Sequence, residues 1–228
     1  MREIAFDTET TGLSWKGDDR VIEVGAVEMI NYIPTGKTFR MLINPGRSVS
    51  ADTVRITGIT DDDLVGMPRF EHPDVVDGLL EFFGEAQIIA HNAGFDRGFL
   101  NAELKRCGRE PIPVERWIDT VMMARKKFPG APASLDALCK RFDISLGART
   151  LHGALLDAEL LASVYLELMG GRARAFDFDE LGGKTATGER PPARQRPKPL
   201  TSLITDEERQ AHEAMVERLG EDALWRKA

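Results

Sequence analysis

The chain has 228 residues, of which 42% are hydrophobic and 29% charged, and these fractions exclude a disordered or fibrous protein. Its 30 basic and 37 acidic residues give a net charge of −7, which argues against holding nucleic acid by charge alone but not against an enzyme that acts on it. No apolar run approaches the roughly 20 residues of a membrane-spanning helix, and the N-terminus lacks the apolar stretch of a secretory signal. Two cysteines are too few for a disulfide framework. We therefore expect a cytoplasmic protein with no membrane partner.

The first part of the chain predicts three successive strands. Alternating apolar and β-branched residues favour strands over 2–9, 20–30 and 37–44, with Gly12 and Gly36 as turn signals between them. The later predicted elements are helices near 74–84, 93–107, 134–142 and 153–169, and short strands at 87–91 and 117–120. This order favours an α/β fold in which a mixed sheet carries flanking helices.

The C-terminal part of the chain has a different composition. Residues 183–199 hold four of the twelve prolines and five basic residues against one acidic residue, which is typical of an extended linker. Beyond it, Thr205 and Glu208 have the spacing of a capping box at the start of a helix. We predict a folded domain over 1–172, a linker over 173–199 and a docking tail over 200–228.

Three acidic positions in the folded domain suggest a metal site. Asp7 and Glu9 lie two apart on the first strand and so share a face, where their charges repel unless a cation lies between them. A solvated strand end is the alternative explanation for this pair. Asp96 follows the strand at 87–91 and opens the next helix, where a carboxylate can also serve only as a cap.

His152 and Asp157 add a histidine and a fourth acid. On a continuous helix their spacing of five residues would turn them about 140° apart, so they converge only if His152 lies in the preceding loop. Four acids on three elements, without paired histidines or cysteines, offer the hard oxygen ligands that Mg²⁺ or Mn²⁺ prefers and argue against zinc.

Three segments carry a family resemblance: DTETTG (7–12), HNAGFD (91–96) and HGALLD (152–157). In this order they resemble the motifs of the DEDDh family of 3′→5′ exonucleases, which implies a ribonuclease H-like fold. Within that family the chain is most similar to the proofreading exonuclease subunits of bacterial DNA polymerase III. The segment 203–225, LITDEERQAHEAMVERLGEDALW, resembles the tail by which those subunits bind the polymerase subunit.

The resemblance also implies a role for each acidic position and for the histidine. Asp7, Glu9 and Asp157 would hold the first of two Mg²⁺ or Mn²⁺ ions, and Asp7 would bridge to a second ion supported by Asp96. His152 would be the general base, which suits a side chain whose pKa is ordinarily about 6.5. The products would be a nucleoside 5′-monophosphate and a strand shortened by one nucleotide.

Further residues are candidates for contact with the substrate. These candidates are Thr10, Gly12, Thr57, His91, Asn92 and Phe95. Phe95 would stack on a base or else belong to the core, and Asn92 would reach phosphate or else cap its helix. Thr57 stands where many relatives have a histidine near the nucleotide, which is a departure from the family pattern.

The resemblance implies three macromolecular partners. These are DNA 3′ ends, single-stranded or frayed, the polymerase subunit through the tail, and the sliding clamp through 175–178. In the tail, Met215, Val216 and Leu219 form one apolar stripe of a helix, and Trp225 has the size of an interface anchor. Two other functions stay open: an RNA-trimming exonuclease of the same fold, and a catalytically silent subunit that stabilises the polymerase.

Overall fold

The computed structural model describes residues 1–146, 151–171 and 204–219, and the first two ranges form a five-stranded mixed sheet with helices on both faces. The strands are β1 (Arg2–Thr10), β2 (Val21–Ile30), β3 (Ile33–Leu42), β4 (Gln87–Ala90) and β5 (Trp117–Asp119). Their order across the sheet is β3-β2-β1-β4-β5. The strands β1, β2 and β3 pair antiparallel, whereas β4 pairs parallel with both β1 and β5. The predicted mixed sheet with flanking helices is confirmed.

The described residues form eight α-helices. They are α1 (Ala51–Thr57), α2 (Asp61–Leu64), α3 (Pro73–Phe83), α4 (Ala93–Arg106), α5 (Thr120–Lys127), α6 (Leu135–Arg141), α7 (Ala154–Leu168) and α8 (Asp206–Arg218). The sequence predicted α3, α4, α6 and α7 to within one or two residues at each end. It did not predict α1, α2 or α5, which have seven, four and eight residues.

Strand β1 lies at the centre of the sheet and separates two apolar cores. Its even-numbered residues, including Phe6, pack on one face with α3 and α4, and the rings of Phe6 and Phe83 meet edge to face with centroids 5.2 Å apart. Its odd-numbered residues face α7, where Ala5 lies in a cluster with Leu161 and Tyr165. The functional carboxylates of β1 therefore lie on the face that α7 covers.

The turn between β2 and β3 differs from the prediction. The chain reverses at Asn31 and Tyr32, both with positive φ (51° and 70°), so that Ile33 already pairs with Ile30. Gly36 was expected to be in this turn, but it lies within β3 with φ of 89°, close to an irregularity in the β2–β3 pairing. The prediction relied on glycine to mark the turn, but asparagine also tolerates the left-handed region. A tyrosine rarely adopts that region, so nothing in the sequence favoured a turn at Tyr32.

The C-terminal residues that the structure describes form α8. The chain divides into two compact units, residues 1–177 and 178–228, and α8 belongs to the second. Thr205 and Glu208 form the predicted capping box, in which each side chain accepts a hydrogen bond from the other's backbone N–H. The predicted linker over 173–199, the segment 175–178 and Trp225 lie outside the described residues, and the domain boundaries remain predictions.

Within the described part of the chain, every helix is too short or too polar to cross a membrane.

Candidate active site

Asp7 and Glu9 lie near the C-terminal end of β1, where its α7-facing side approaches the surface. Earlier residues on this side, such as Ala5, are fully buried, whereas Asp7 and Glu9 are only partly buried. The β1–β2 register shifts directly after Glu9, between Glu9 and Thr10. This end of the sheet thus exposes two carboxylates of one strand face beside the start of α7.

His152 lies in the loop before α7, as convergence with Asp157 requires. Gly153 is the N-cap residue of α7, and the backbone N–H of His152 donates to the Ile56 carbonyl at 3.0 Å. The ring Nδ1 lies 3.0 Å from Oδ2 of Asp157, which is buried in the first turn of α7. A carboxylate in that turn is favoured by the helix dipole. The His152 side chain remains 49% exposed and so is open to substrate.

Glu9, His152 and Asp157 form a compact group of potential ligands. One ligand atom from each residue lies within 4.8 Å of those of the other two. The group joins β1, the loop before α7 and α7 itself, and Asp7 lies on the same strand face as Glu9. Oxygen donors dominate this set, so it fits a hard divalent cation such as Mg²⁺ or Mn²⁺.

Asp96 is joined to β1 through Thr8. The Thr8 hydroxyl donates to Oδ1 of Asp96 at 2.8 Å, and Thr8 lies on the face of β1 opposite to Asp7 and Glu9. Burial raises the pKa of the Asp96 carboxyl to about 7, although the bond from Thr8 opposes this shift. Asp96 therefore contacts the end of β1 from the side of α4. The residue that it contacts, Thr8, lies between Asp7 and Glu9 in the chain.

A cavity of about 460 Å³ opens beside this group. Glu9 lines it, and so do four of the six predicted substrate contacts: Thr10, Gly12, Thr57 and Phe95. The volume and the mixture of apolar and polar walls are typical of a site for a small organic group. Because Glu9 lines the cavity, a group bound there would lie beside the potential metal ligands Glu9, His152 and Asp157.

The four predicted contacts in the cavity differ in what they can offer. The Phe95 ring packs on Phe99 with centroids 4.9 Å apart, so it belongs to the core and also presents a face to the cavity. The Thr57 hydroxyl donates to the Thr53 carbonyl at 2.9 Å, and therefore its proton is already engaged within α1. The Thr10 hydroxyl donates to the Gly12 carbonyl at 2.6 Å and braces the turn.

The structure does not bring His91 and Asn92 to the described lining of this cavity. Nδ1 of His91 lies 2.9 Å from the Thr120 hydroxyl, and burial lowers the pKa of this ring. Asn92 adopts a left-handed conformation (φ 69°), and its backbone N–H donates to Asp119 at 3.3 Å. Asn92 is the N-cap residue of α4, but within the described residues its side chain makes no capping hydrogen bond.

Sequence reasoning missed the wall that α1 contributes. Thr53, Arg55 and Ile56 of α1 line the cavity, and so does Leu13, which is 85% exposed. The sequence did contain a signal for α1, because Ser50 and Gly58 are residue types that often begin and end a helix. In the structure the Ser50 hydroxyl accepts from the Thr53 N–H, and Gly58 ends the helix with φ of 75°.

Comparison with known proteins identifies the class. A protein-family model described as "Exonuclease" matches residues 4–165, which is most of the chain and includes all three motifs. The chain therefore belongs to this exonuclease family. The nuclease domain of 3′hExo, a DEDDh family member, shares the fold with a TM-score of 0.62 at 18% identity, over 74% of this chain and 91% of that one.

Among relatives named individually, the chain is similar to DNA polymerase III subunit epsilon. The subunit of Rickettsia conorii is 43% identical over 227 residues, covering 96% of each chain. The subunit of Escherichia coli is 40% identical over 243 residues, covering 99% of this chain and 97% of that one. The predicted family resemblance is confirmed.

Proposed function

We propose that this chain is the proofreading 3′–5′ exonuclease of a bacterial replicative DNA polymerase and removes mispaired 3′-terminal nucleotides as 5′-monophosphates. The observation that supports the proposal is the cavity lined by Glu9, because a terminal nucleotide bound there would lie beside the Glu9, His152 and Asp157 group. The mispair itself need not be recognised, because a mismatched end frays at lower cost and reaches the site as single strand.

Each residue of the site then has a role. Asp7, Glu9, Asp96 and Asp157 would hold two divalent cations, which when bound supply positive charge at the phosphate and lower the pKa of a water molecule. Asp157 accepts a hydrogen bond from Nδ1 of His152, which leaves Nε2 as the ring nitrogen with a lone pair. That nitrogen takes the proton of the attacking water.

The cavity walls position the terminal nucleotide. Phe95 offers a ring face for stacking on the terminal base while Phe99 holds the ring from behind. The turn after β1, which contains Gly12, offers backbone N–H groups to the nucleotide. These contacts use no sequence-specific hydrogen bond, which suits an enzyme that must remove any of the four nucleotides.

Net charge and the tail make the action depend on a partner. The net charge of −7 on the chain repels the DNA phosphates within a Debye length of roughly 8–10 Å. We therefore propose that the chain alone binds DNA weakly. Tethering through residues 200–228 to the polymerase subunit raises the effective concentration at the primer end. A clamp contact at 175–178 remains a prediction.

The decisive experiment compares single-stranded DNA and RNA oligonucleotides of one sequence, labelled at the 5′ end, with Mg²⁺ or Mn²⁺. We expect stepwise shortening of DNA from its 3′ end, release of 5′-monophosphates, and arrest by chelator. Faster degradation of RNA would favour the RNA-trimming function. Activity that persists in chelator would contradict the metal roles.

Variants at the site separate catalysis from folding. Asp7→Ala and Asp157→Ala should abolish degradation and keep the melting temperature, because each removes a ligand and also relieves carboxylate repulsion. Glu159→Ala is the matched control, since Glu159 is an exposed acid of the same helix α7. Wild-type activity in Asp157→Ala would contradict the role of Asp157 as a cation ligand, and an inactive wild-type chain would leave the silent, polymerase-stabilising function.

A further inference from the structure

Glu23 is a buried carboxylate of β2 to which the resemblance assigns no role. Its side chain is 1% exposed, and it lies directly opposite Glu9 in the antiparallel β1–β2 pairing. Directly opposed residues of such a pair project to the same face of the sheet. Glu23 therefore occupies the α7-facing side, next to a residue of the ligand cluster.

Both oxygens of this carboxylate accept a hydrogen bond. Oε1 accepts from Nε of Arg40 on β3 at 2.6 Å, and Oε2 accepts from the backbone N–H of Ala154 at 2.9 Å. Ala154 is the first residue of α7, whose N-cap residue, Gly153, has no side chain with which to cap. Glu23 thus supplies, from 131 positions away, one of the acceptors that the start of a helix requires.

At this point β2 and α7 pack too closely to admit even one additional carbon atom. A Cβ on Gly25, two residues along β2, would lie 2.2 Å from the backbone carbon of Ala154 and from the nitrogen of Leu155. The first turn of α7 hence rests directly on the β2 backbone. His152 precedes this turn and Asp157 lies in it, so the contact of Glu23 with Ala154 fixes both relative to Glu9.

We propose that Glu23, held by Arg40, is a positioning residue that docks the start of α7 on β2 and so sets the separation between Glu9 and the His152–Asp157 pair. It touches neither substrate nor cation. Its effect is on the affinity for divalent cation and on kcat, and not on the KM for DNA. The catalytic part of this inference rests on the proposed function.

The test uses Glu23→Gln in the full chain. The two donors approach different carboxylate oxygens, and in glutamine one of these becomes an NH₂ donor that would face either the Ala154 N–H or the Arg40 guanidinium. We expect Mn²⁺ affinity, measured by titration calorimetry, and kcat on a single-stranded oligonucleotide each to fall about 10-fold, the scale usual for residues that support metal ligands. KM for DNA should be unchanged.

Glu28→Gln is the matched control. Glu28 is also a buried carboxylate of β2, and it likewise accepts two bonds, from Nε of Arg2 at 2.7 Å and from the Thr35 hydroxyl at 2.8 Å. It projects to the opposite face of the sheet, away from α7. We expect it to lower the melting temperature as Glu23→Gln does while Mn²⁺ affinity and kcat stay at the wild-type values.

Equal effects of the two variants on Mn²⁺ affinity, or wild-type Mn²⁺ affinity in Glu23→Gln, would overturn the inference. If Glu23→Gln does not fold, Arg40→Met replaces it, because Arg40 is 58% exposed and its loss releases Glu23 without opening the core. It should cause a smaller loss in the same direction, and unchanged Mn²⁺ affinity there would be equally decisive. Inactivity of the wild type would refute the proposed function and leave the calorimetric comparison valid.

Discussion

The hydrogen bond between His152 and Asp157 joins the predicted general base to a predicted cation ligand. One carboxylate oxygen, Oδ2, meets Nδ1 of the histidine at 3.0 Å, and the same carboxylate is a predicted cation ligand. Because His152 is half exposed and Asp157 is buried, the pair spans the boundary between solvent and core.

Replacing His152 separates its role as base from that of a ligand. In His152→Ala we expect the rate of DNA degradation to fall by roughly 10²–10⁴, the usual span for loss of a general base, while Mn²⁺ still binds. Rates between pH 5 and 9 and calorimetric titration with Mn²⁺ check the two parts. An acid limb of the pH profile that survives unchanged in the variant would assign the base to another group.

Asp96 predicts a pH dependence of stability in chelator. Its pKa of about 7 in the folded chain lies above the ordinary value of 3.8, so the folded state binds the proton more tightly than the unfolded state. This favours folding fully below a pH of about 3.8, and the advantage is lost progressively as pH rises from there through about 7, so about half of the change lies above pH 5.5. A pKa shift of this size changes the free energy of unfolding by at most about 4 kcal/mol.

Urea unfolding at pH 5.5 and pH 8 measures this effect. The free energy of unfolding of the wild type should fall between the two values by more than that of Asp96→Asn, which carries no titratable group at this position. Mg²⁺ should restore stability of the wild type at pH 8, because a cation favours the ionised carboxylate. An equal pH dependence in both proteins would show that Asp96 ionises at its ordinary pKa.

At the level of elements, the site is made where β1, α4 and α7 converge. Asp7 and Glu9 come from the central strand, Asp96 from the first turn of α4, and Asp157 from the first turn of α7. Two helix N-termini thus point toward one strand end, and their dipoles favour the carboxylates gathered there. This convergence requires α7 to lie directly on β2.

Gly25→Ala tests this packing of α7 on β2. The added Cβ would meet the backbone of Ala154 and Leu155 at 2.2 Å, and backbone atoms cannot move aside as a flexible side chain can. We expect destabilisation of at least the 1–3 kcal/mol typical of overpacked cores, together with loss of nuclease activity. Gly94→Ala is the control, since a Cβ there meets nothing within 4 Å, and it should keep or slightly raise the free energy of unfolding because alanine favours the helix more than glycine does.

At the level of the whole molecule, we predict separate tasks for the acidic exonuclease domain and the tail. On α8, Met215 is 38% and Leu219 51% exposed, so the predicted apolar stripe is accessible in the described chain. Apolar side chains spaced along one side of a short helix are typical of a segment that lies in a partner's groove. This favours α8 as part of the polymerase-binding surface.

Truncation tests this division of tasks. A protein that ends at residue 180 should digest single-stranded DNA as fast as the full chain and no longer co-purify with the polymerase subunit. Residues 200–228 fused to an inert carrier should keep most of the affinity. Leu219→Asp should weaken binding and Glu217→Gln, an exposed neighbour, should not. Tight binding by the truncated protein would show that the exonuclease domain is the docking surface.

The sequence by itself indicated which candidate site residues share a strand face or a helix start, because these signals are local. Asp7 and Glu9 share a strand face by the two-residue period, and the spacing of His152 and Asp157 required a loop residue beside a helical one, as the structure shows. The capping box at Thr205 is likewise confirmed from four consecutive residues. The long helices could be predicted from their apolar periodicity, which is also a local signal.

Only the tertiary structure decided which distant residues support that set. The Thr8 bond to Asp96 spans 88 positions and the Glu23 bond to Ala154 spans 131, and no local period encodes either pairing. The cavity likewise needs α1, which the sequence did not predict, to lie beside Phe95. Such contacts follow from strand order and helix placement, which are fixed by the collective burial of both faces of the sheet.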